Sequence, residues 1–155
     1  METKMKTKKS IAVIGVMVLA TFLTMCTAVA LALDLPAMPR MFSNSRFVYI
    51  TAYDGNQFDP NLLPDDRAAI SRVQDAIQKW GKLIVVYRPQ EADVILAVQS
   101  RPSEDVLAVY DAHSGFGDGR PSQAYLWRVM AAGGLQKGEV PLVSQFEQAW
   151  DKIAK

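Results

Sequence analysis

The sequence predicts an α/β domain in two layers, a mixed sheet of about five strands with two helices on one face. Three observations predict it. Short runs dense in β-branched and aromatic residues recur between turn-forming clusters from residue 46 onward. Two segments, 64–80 and 141–153, repeat apolar residues at helical spacing. The resulting order, β-α-β-β-β-β-α, opens with a step that needs a crossover and continues with strands near enough to pair as hairpins.

The first strand is expected over 46–52, where Phe47, Val48, Tyr49, Ile50 and Thr51 follow one another. A loop over 53–63 follows. Pro64 then suits a first helical position, where its missing N–H has no partner to lose, and Asp65 and Asp66 place negative charge at the helix start. Gly81 is the matching stop. Between them Ile70, Val73, Ile77 and Trp80 form one stripe, while Arg67, Arg72, Asp75 and Lys79 point away. Each large stripe residue contributes about 1.5 to 3 kcal/mol when fully buried, so this helix must dock.

Strands are expected at 82–87 and 93–99. Val94, Ile95, Leu96, Ala97 and Val98 are apolar at every position, the mark of a central strand covered on both faces. One helix layer covers only one, which leaves a partner, a second copy or loop 53–63 to cover the other. Two more strands are expected at 106–111 and 123–131, joined by a Gly-, Ser- and Pro-rich hairpin loop over 112–122. In the last of them Tyr125, Trp127 and Val129 share one face, and Leu126, Arg128 and Met130 the other. Pro141 opens the closing helix, whose Leu142, Val143, Phe146, Ala149, Trp150 and Ile153 make a second stripe. Trp80 and Trp150 are expected to be structural.

Ahead of this domain, Lys4, Lys6, Lys8 and Lys9 precede an uncharged stretch over 11–33, the pattern of a targeting segment. At 1.5 Å per residue the stretch is long enough to span a bilayer core of about 30 Å. Ala28-Val29-Ala30 and Ala30-Leu31-Ala32 are small-x-small sites of the kind signal peptidase reads. Residues 1–32 are therefore expected to be a signal peptide, or else an uncleaved inner-membrane anchor, with 33–45 as linker and 46–155 as a single domain. Lysines ahead of the apolar run place that domain outside the cytoplasm in either case, periplasmic or secreted. Cys26 invites a lipidation reading, but the preceding Met25 is larger than the usual small residue.

The chain has 17 basic and 16 acidic residues, and without the targeting segment the balance is slightly acidic with no basic block. Nucleic-acid binding, which needs a basic face against phosphates, is excluded. The single cysteine lies in the targeting segment, so the domain has no disulfide and depends on its core.

Ala92-Asp93-Val94-Ile95-Leu96 entering a strand, Tyr110-Asp111-Ala112-His113-Ser114-Gly115 at a strand end and Leu126-Trp127-Arg128 in the next strand together resemble exported bacterial cell-envelope α/β domains of unknown function. The nearest type is that of the TolB amino-terminal and curli-secretion lipoprotein families. The resemblance implies assembly or binding, and no catalytic residues.

Candidate chemistry is sparse. His113, the one histidine, stands between Asp111 and Ser114, too close in sequence to form a triad whose members come from separate elements. Asp54, Asn56 and Asp59 are weak candidates for calcium, and their spacing fails the EF-hand pattern. One histidine without an exported cysteine cannot form zinc's common ligand sets. Gly115-Phe116-Gly117-Asp118-Gly119 precedes a strand and not a helix, so it reads as a hairpin tip and not a phosphate loop. No cofactor is implied. Phe116, Tyr125 and Trp127 are candidate partner contacts. The expectation is a non-catalytic envelope domain that binds an unidentified envelope protein or itself; the alternative is a small-ligand-binding or hydrolytic periplasmic protein whose loops 53–61 and 111–122 converge on one pocket.

Overall fold

The computed structural model describes residues 35–154 apart from 115, 118, 119, 122, 123 and 137. The basic start, the apolar run, its cleavage sites and Cys26 lie outside the described residues. No helix among the described residues is long and apolar enough to cross a membrane.

The elements are β1 (Phe47–Ala52), α1 (Pro64–Trp80), β2 (Ile84–Val86), β3 (Val94–Ser100), β4 (Asp105–Asp111), the two-residue strands β5 (Phe116–Gly117) and β6 (Arg120–Pro121), β7 (Trp127–Ala131) and α2 (Pro141–Asp151). Five of the strands form one mixed sheet in the order β2-β1-β3-β4-β7. β1 runs parallel to β2 and β3, whereas β4 pairs antiparallel with β3 and with β7. The mixed α/β architecture expected from the sequence is the one observed. The last strand is shorter than expected: it begins at Trp127, not at 123.

α1 starts with Pro64 at its first position, with Asp65 and Asp66 in the first turn, and stops at Gly81, which takes φ 76° at the cap. Only glycine enters that left-handed conformation without a steric penalty from Cβ. Ala69, Ile70, Val73 and Ile77 are buried against Val48, Ile50, Val94, Leu96 and Val98 of the sheet. α2 buries Leu142, Val143, Phe146, Ala149 and Trp150 in the same core, with Leu107, Val109, Trp127 and Val129 beneath. Its close approach requires Gly134, where an added Cβ would stand 2.5 Å from Leu142 Cγ.

Residues 35–45 are not a linker. Met38 and Phe42 are buried in this core, a 3-10 turn over Arg40–Asn44 carries Phe42 onto Trp150 at 6.4 Å between ring centroids, and Pro36 O accepts the Trp127 indole N–H at 2.7 Å. The prolines that suggested a linker do the opposite. Pro36 and Pro39 restrict the unfolded chain, so this irregular segment loses less entropy on docking.

The face away from the helices holds a second cluster of Tyr49, Ala92, Ile95, Ala97, Ala108 and Tyr110. Because β2 and β3 are parallel and flank β1, residues 87–93 must pass across β1, and Ala92 brings that crossover onto this face. Asp93 pins its end by accepting the Arg46 and Phe47 N–H groups at 2.7 and 3.0 Å. Tyr53 packs on the same cluster, its ring edge-on to Tyr110 at 6.4 Å. The chain itself thus supplies much of the second cover that the all-apolar strand demanded.

Candidate functional site

In loop 53–63 polar side chains are committed to partners within the fold. Asn56 Oδ1 accepts the Phe58 N–H at 2.8 Å and Asp59 Oδ1 the Asn61 N–H at 2.8 Å, both Asx turns, while Asp54 Oδ2 pairs with Arg101 Nη2 at 2.8 Å. The three calcium candidates therefore point to three different partners. Among the described residues no group of three or more His, Cys, Asp or Glu could hold a metal ion.

Asp111, His113 and Ser114 do meet, in the wrong order for nucleophilic catalysis. Ser114 Oγ donates to Asp111 Oδ2, and Asp111 Oδ1 accepts the His113 backbone N–H at 3.1 Å and lies 3.3 Å from His113 Nδ1. In a triad the histidine stands between serine and carboxylate, where it can take the serine proton. Here the carboxylate stands between the other two, and the imidazole is 73% exposed. Burial opposes ionisation of Asp111, but the Ser114 hydroxyl, the His113 N–H and the His113 ring together hold its carboxyl below the ordinary 3.8.

A stability prediction follows from that shift. A carboxyl depressed in the folded state stabilises the fold above its unfolded pKa, and the contribution fades as pH falls through the folded value. Asp111→Asn is expected to lower the urea midpoint at pH 7 and to match the parent at an acid pH below the depressed folded value, where both side chains are neutral. His113→Ala, at an exposed turn, should stay within about 0.5 kcal/mol of the parent. An equal loss from Asp111→Asn at both pH values would refute the assignment.

Loops 53–61 and 111–122 leave opposite ends of the sheet. Ala52 is level with Val98 and Leu107, while Asp111 is level with Val94 and Val48. The two exits are four register positions apart, about 13 Å at 3.3 Å per residue. The strand exits do not by themselves bring these two loops together, as the small-ligand and hydrolytic alternative requires, although the Tyr53 ring reaches Tyr110 beside the second loop. Phe116 and Gly117 pair with Pro121 and Arg120 as a minor hairpin, and the Phe116 side chain lies outside the described residues. Trp127 is not a surface contact: its side of β7 meets α2, and the ring lies edge-on to Phe146 at 6.0 Å.

Tyr125 is the predicted contact residue that remains accessible, at 44% exposure. The Arg128 guanidinium lies over its ring at 4.6 Å from the centroid, a cation–π arrangement. Arg128 also lies near enough to Tyr53 to act on it electrostatically. Burial first, then the hydrogen bond with Tyr110, hold the Tyr53 phenol well above its ordinary value, with Arg128 acting weakly the other way. Tyr53, Tyr110, Tyr125 and Arg128 thus form a tyrosine-rich patch on the face away from the helices. Met130 of β7 and Leu126 just before it, at 41% and 43%, extend it.

Sequence reasoning missed a buried polar cluster at the other end of the β3–β4 hairpin. Asp66 accepts the Ser100 N–H at 2.7 Å and Arg101 Nη1 at 2.8 and 3.0 Å. Asp105 accepts Ser100 Oγ and the Leu135 N–H, each at 2.8 Å, and Gln136 Nε2 at 3.3 Å. Ser100 joins the two carboxylates, one through its backbone and one through its hydroxyl. Among the described residues no buried side-chain N or O lacks a hydrogen-bond partner, so the cluster ties α1, the hairpin and the 132–136 turn together.

No known family model matches the chain, and no curated protein is detectably similar to it. Among solved structures, a PelC dodecamer from Paraburkholderia phytofirmans is 14% identical with a TM-score of 0.38, over 78% of this chain and 92% of its own. A point variant of that dodecamer gives 17% and 0.36, over 78% and 90%. An uncharacterized lipoprotein B from Nitrosomonas europaea is 17% identical with a TM-score of 0.30, over 77% of each chain. At these TM-scores none of the three likenesses bears on what this chain does.

Proposed function

We propose that this chain is a non-catalytic exported domain that binds a protein, or assembles with itself, through its sheet. The observation that carries the reading is the contrast between two kinds of polar and apolar group. The acceptor side chains of Asn56, Asp59, Asp66 and Asp105 are occupied by hydrogen bonds within the fold, whereas Tyr125, Leu126, Arg128 and Met130 stand exposed together at one sheet edge. Exposed aromatic, Met and Arg side chains are enriched in protein interfaces. The basic start and the apolar run over 11–33 support export to the cell envelope.

Two measurements test it. Fractionation with mass determination of the mature amino terminus is expected to find the domain outside the cytoplasm, starting at Leu31 or Leu33 where cleavage occurs. Full-length protein in the cytoplasm would overturn the export reading. Cross-linking of the exported chain in intact cells is expected to join it to a second protein or a second copy; a chain that cross-links to nothing would overturn the binding reading.

A further inference from the structure

β7 ends the sheet. β4 pairs along one side of it and no described strand along the other, so alternate backbone N–H and C=O groups of Trp127–Ala131 face outward as a template for another strand. Natural edges are commonly blunted by proline, bulges or several charges. This one carries a single charge, Arg128.

Its side chains alternate. Trp127 and Val129 are in the core beneath α2, while Arg128 and Met130 are exposed on the other face and Leu126, two positions before Arg128, is exposed as well. Same-face residues recur about every 6.6 Å along a strand, so the open face of this edge reads apolar, cationic, apolar. Arg128 is stacked on Tyr125. Stacking uses the flat face of a guanidinium and leaves its in-plane N–H fork available for a carboxylate. Among the described ion pairs none involves Arg128.

From this geometry we infer that the free edge of β7 takes up an extended peptide in which an acidic residue is flanked, two positions away on each side, by apolar residues. Strand addition supplies main-chain hydrogen bonds, and alternate side chains supply the selection. The acidic residue faces Arg128, and the apolar ones face Leu126 and Met130. A second copy paired about Arg128 is a poor occupant, because it sets two guanidinium groups opposite each other and such like-charge pairs destabilise. The inference rests on the proposed protein-binding role and narrows it to one edge and one partner chemistry.

The test uses the exported chain and the peptide acetyl-TVTETVT-amide, with versions carrying Gln or Lys in place of Glu, followed by backbone amide resonances. Perturbations are expected at residues 126–131, and the Gln peptide is expected to bind about three- to fivefold more weakly, the scale of one partly exposed cross-strand ion pair. Arg128→Glu should reverse the preference toward the Lys peptide. N-methylation of alternate peptide amides should abolish binding on one parity only, since it removes ladder hydrogen bonds without changing charge. Equal binding of the Glu and Gln peptides, an Arg128→Glu chain with unchanged preference, perturbations confined to β2, or no binding at all would each overturn the inference. Cross-links in cells through a surface away from β7, with no peptide binding, would leave the broader binding role standing; absence of both would remove the two together.

Discussion

Replacing Trp150 with alanine is expected to cost about 3 to 5 kcal/mol, a large part of the roughly 5 to 15 kcal/mol that holds a domain of this size together. Trp150 is buried and meets three other rings: Phe42 stacked at 6.4 Å, Trp80 edge-on at 6.3 Å and Phe146 at 5.4 Å. Deleting it opens a cavity where the amino-terminal segment, α1 and α2 converge, so no single element can relax into the space. Trp80 is only partly buried, with Lys82 Nζ 5.3 Å from its ring centroid. Trp80→Ala is therefore expected to cost less, because part of its surface is already in water. Urea unfolding of the two variants decides it: equal shifts in midpoint, or no shift for Trp150→Ala, would show that the ring cluster is not the keystone of the helix layer.

The elements that could be read from the sequence are those whose signals are local. α1 was fixed by Pro64, Gly81 and a stripe that needs no knowledge of its neighbours, and the all-apolar run 94–98 announced a central strand. The order of the strands was not local. β2 and β3 flank β1 through a seven-residue crossover that holds no more than a 3-10 turn over Pro89–Glu91, and nothing in residues 87–93 states which side of β1 they reach. The docked segment 35–45 escaped for a different reason, since a short 3-10 turn has too few residues to show a period. Alternation in the last strand did separate Trp127 from Arg128. It could not say which set meets the helices, and that choice depends on α2 lying over β7. Of the buried carboxylates the sequence shows Asp66 as a helix-start charge; Asp105 and the shared partner Ser100 are brought together by the β3–β4 register.

The second large effect is expected at the Asp66–Arg101 pair, and it should be asymmetric. Asp66 is 1% exposed and the Arg101 side chain 29%. The hydrogen bond to Asp66 is the main influence holding the Arg101 guanidinium above its ordinary pKa, against the effect of burial. Arg101→Met removes the cation and leaves a carboxylate enclosed in the fold with the Ser100 N–H as its remaining described donor. An uncompensated buried charge of this kind costs about 3 to 5 kcal/mol. Asp66→Ala leaves instead a guanidinium that still reaches Asp54 and water, together with one orphaned backbone N–H, so about 1 to 3 kcal/mol is expected. The double variant should lose less than the sum of the two, because once the arginine is gone the carboxylate is itself a liability; a coupling of about 0.5 to 3 kcal/mol is the range for residues in one network. Urea midpoints of the three variants, measured at pH 7 with the slope held constant, give the cycle. Strict additivity, or a larger loss from Asp66→Ala than from Arg101→Met, would mean that the stabilising contact at this corner is the Ser100–Asp105–Leu135 bridge and not the ion pair.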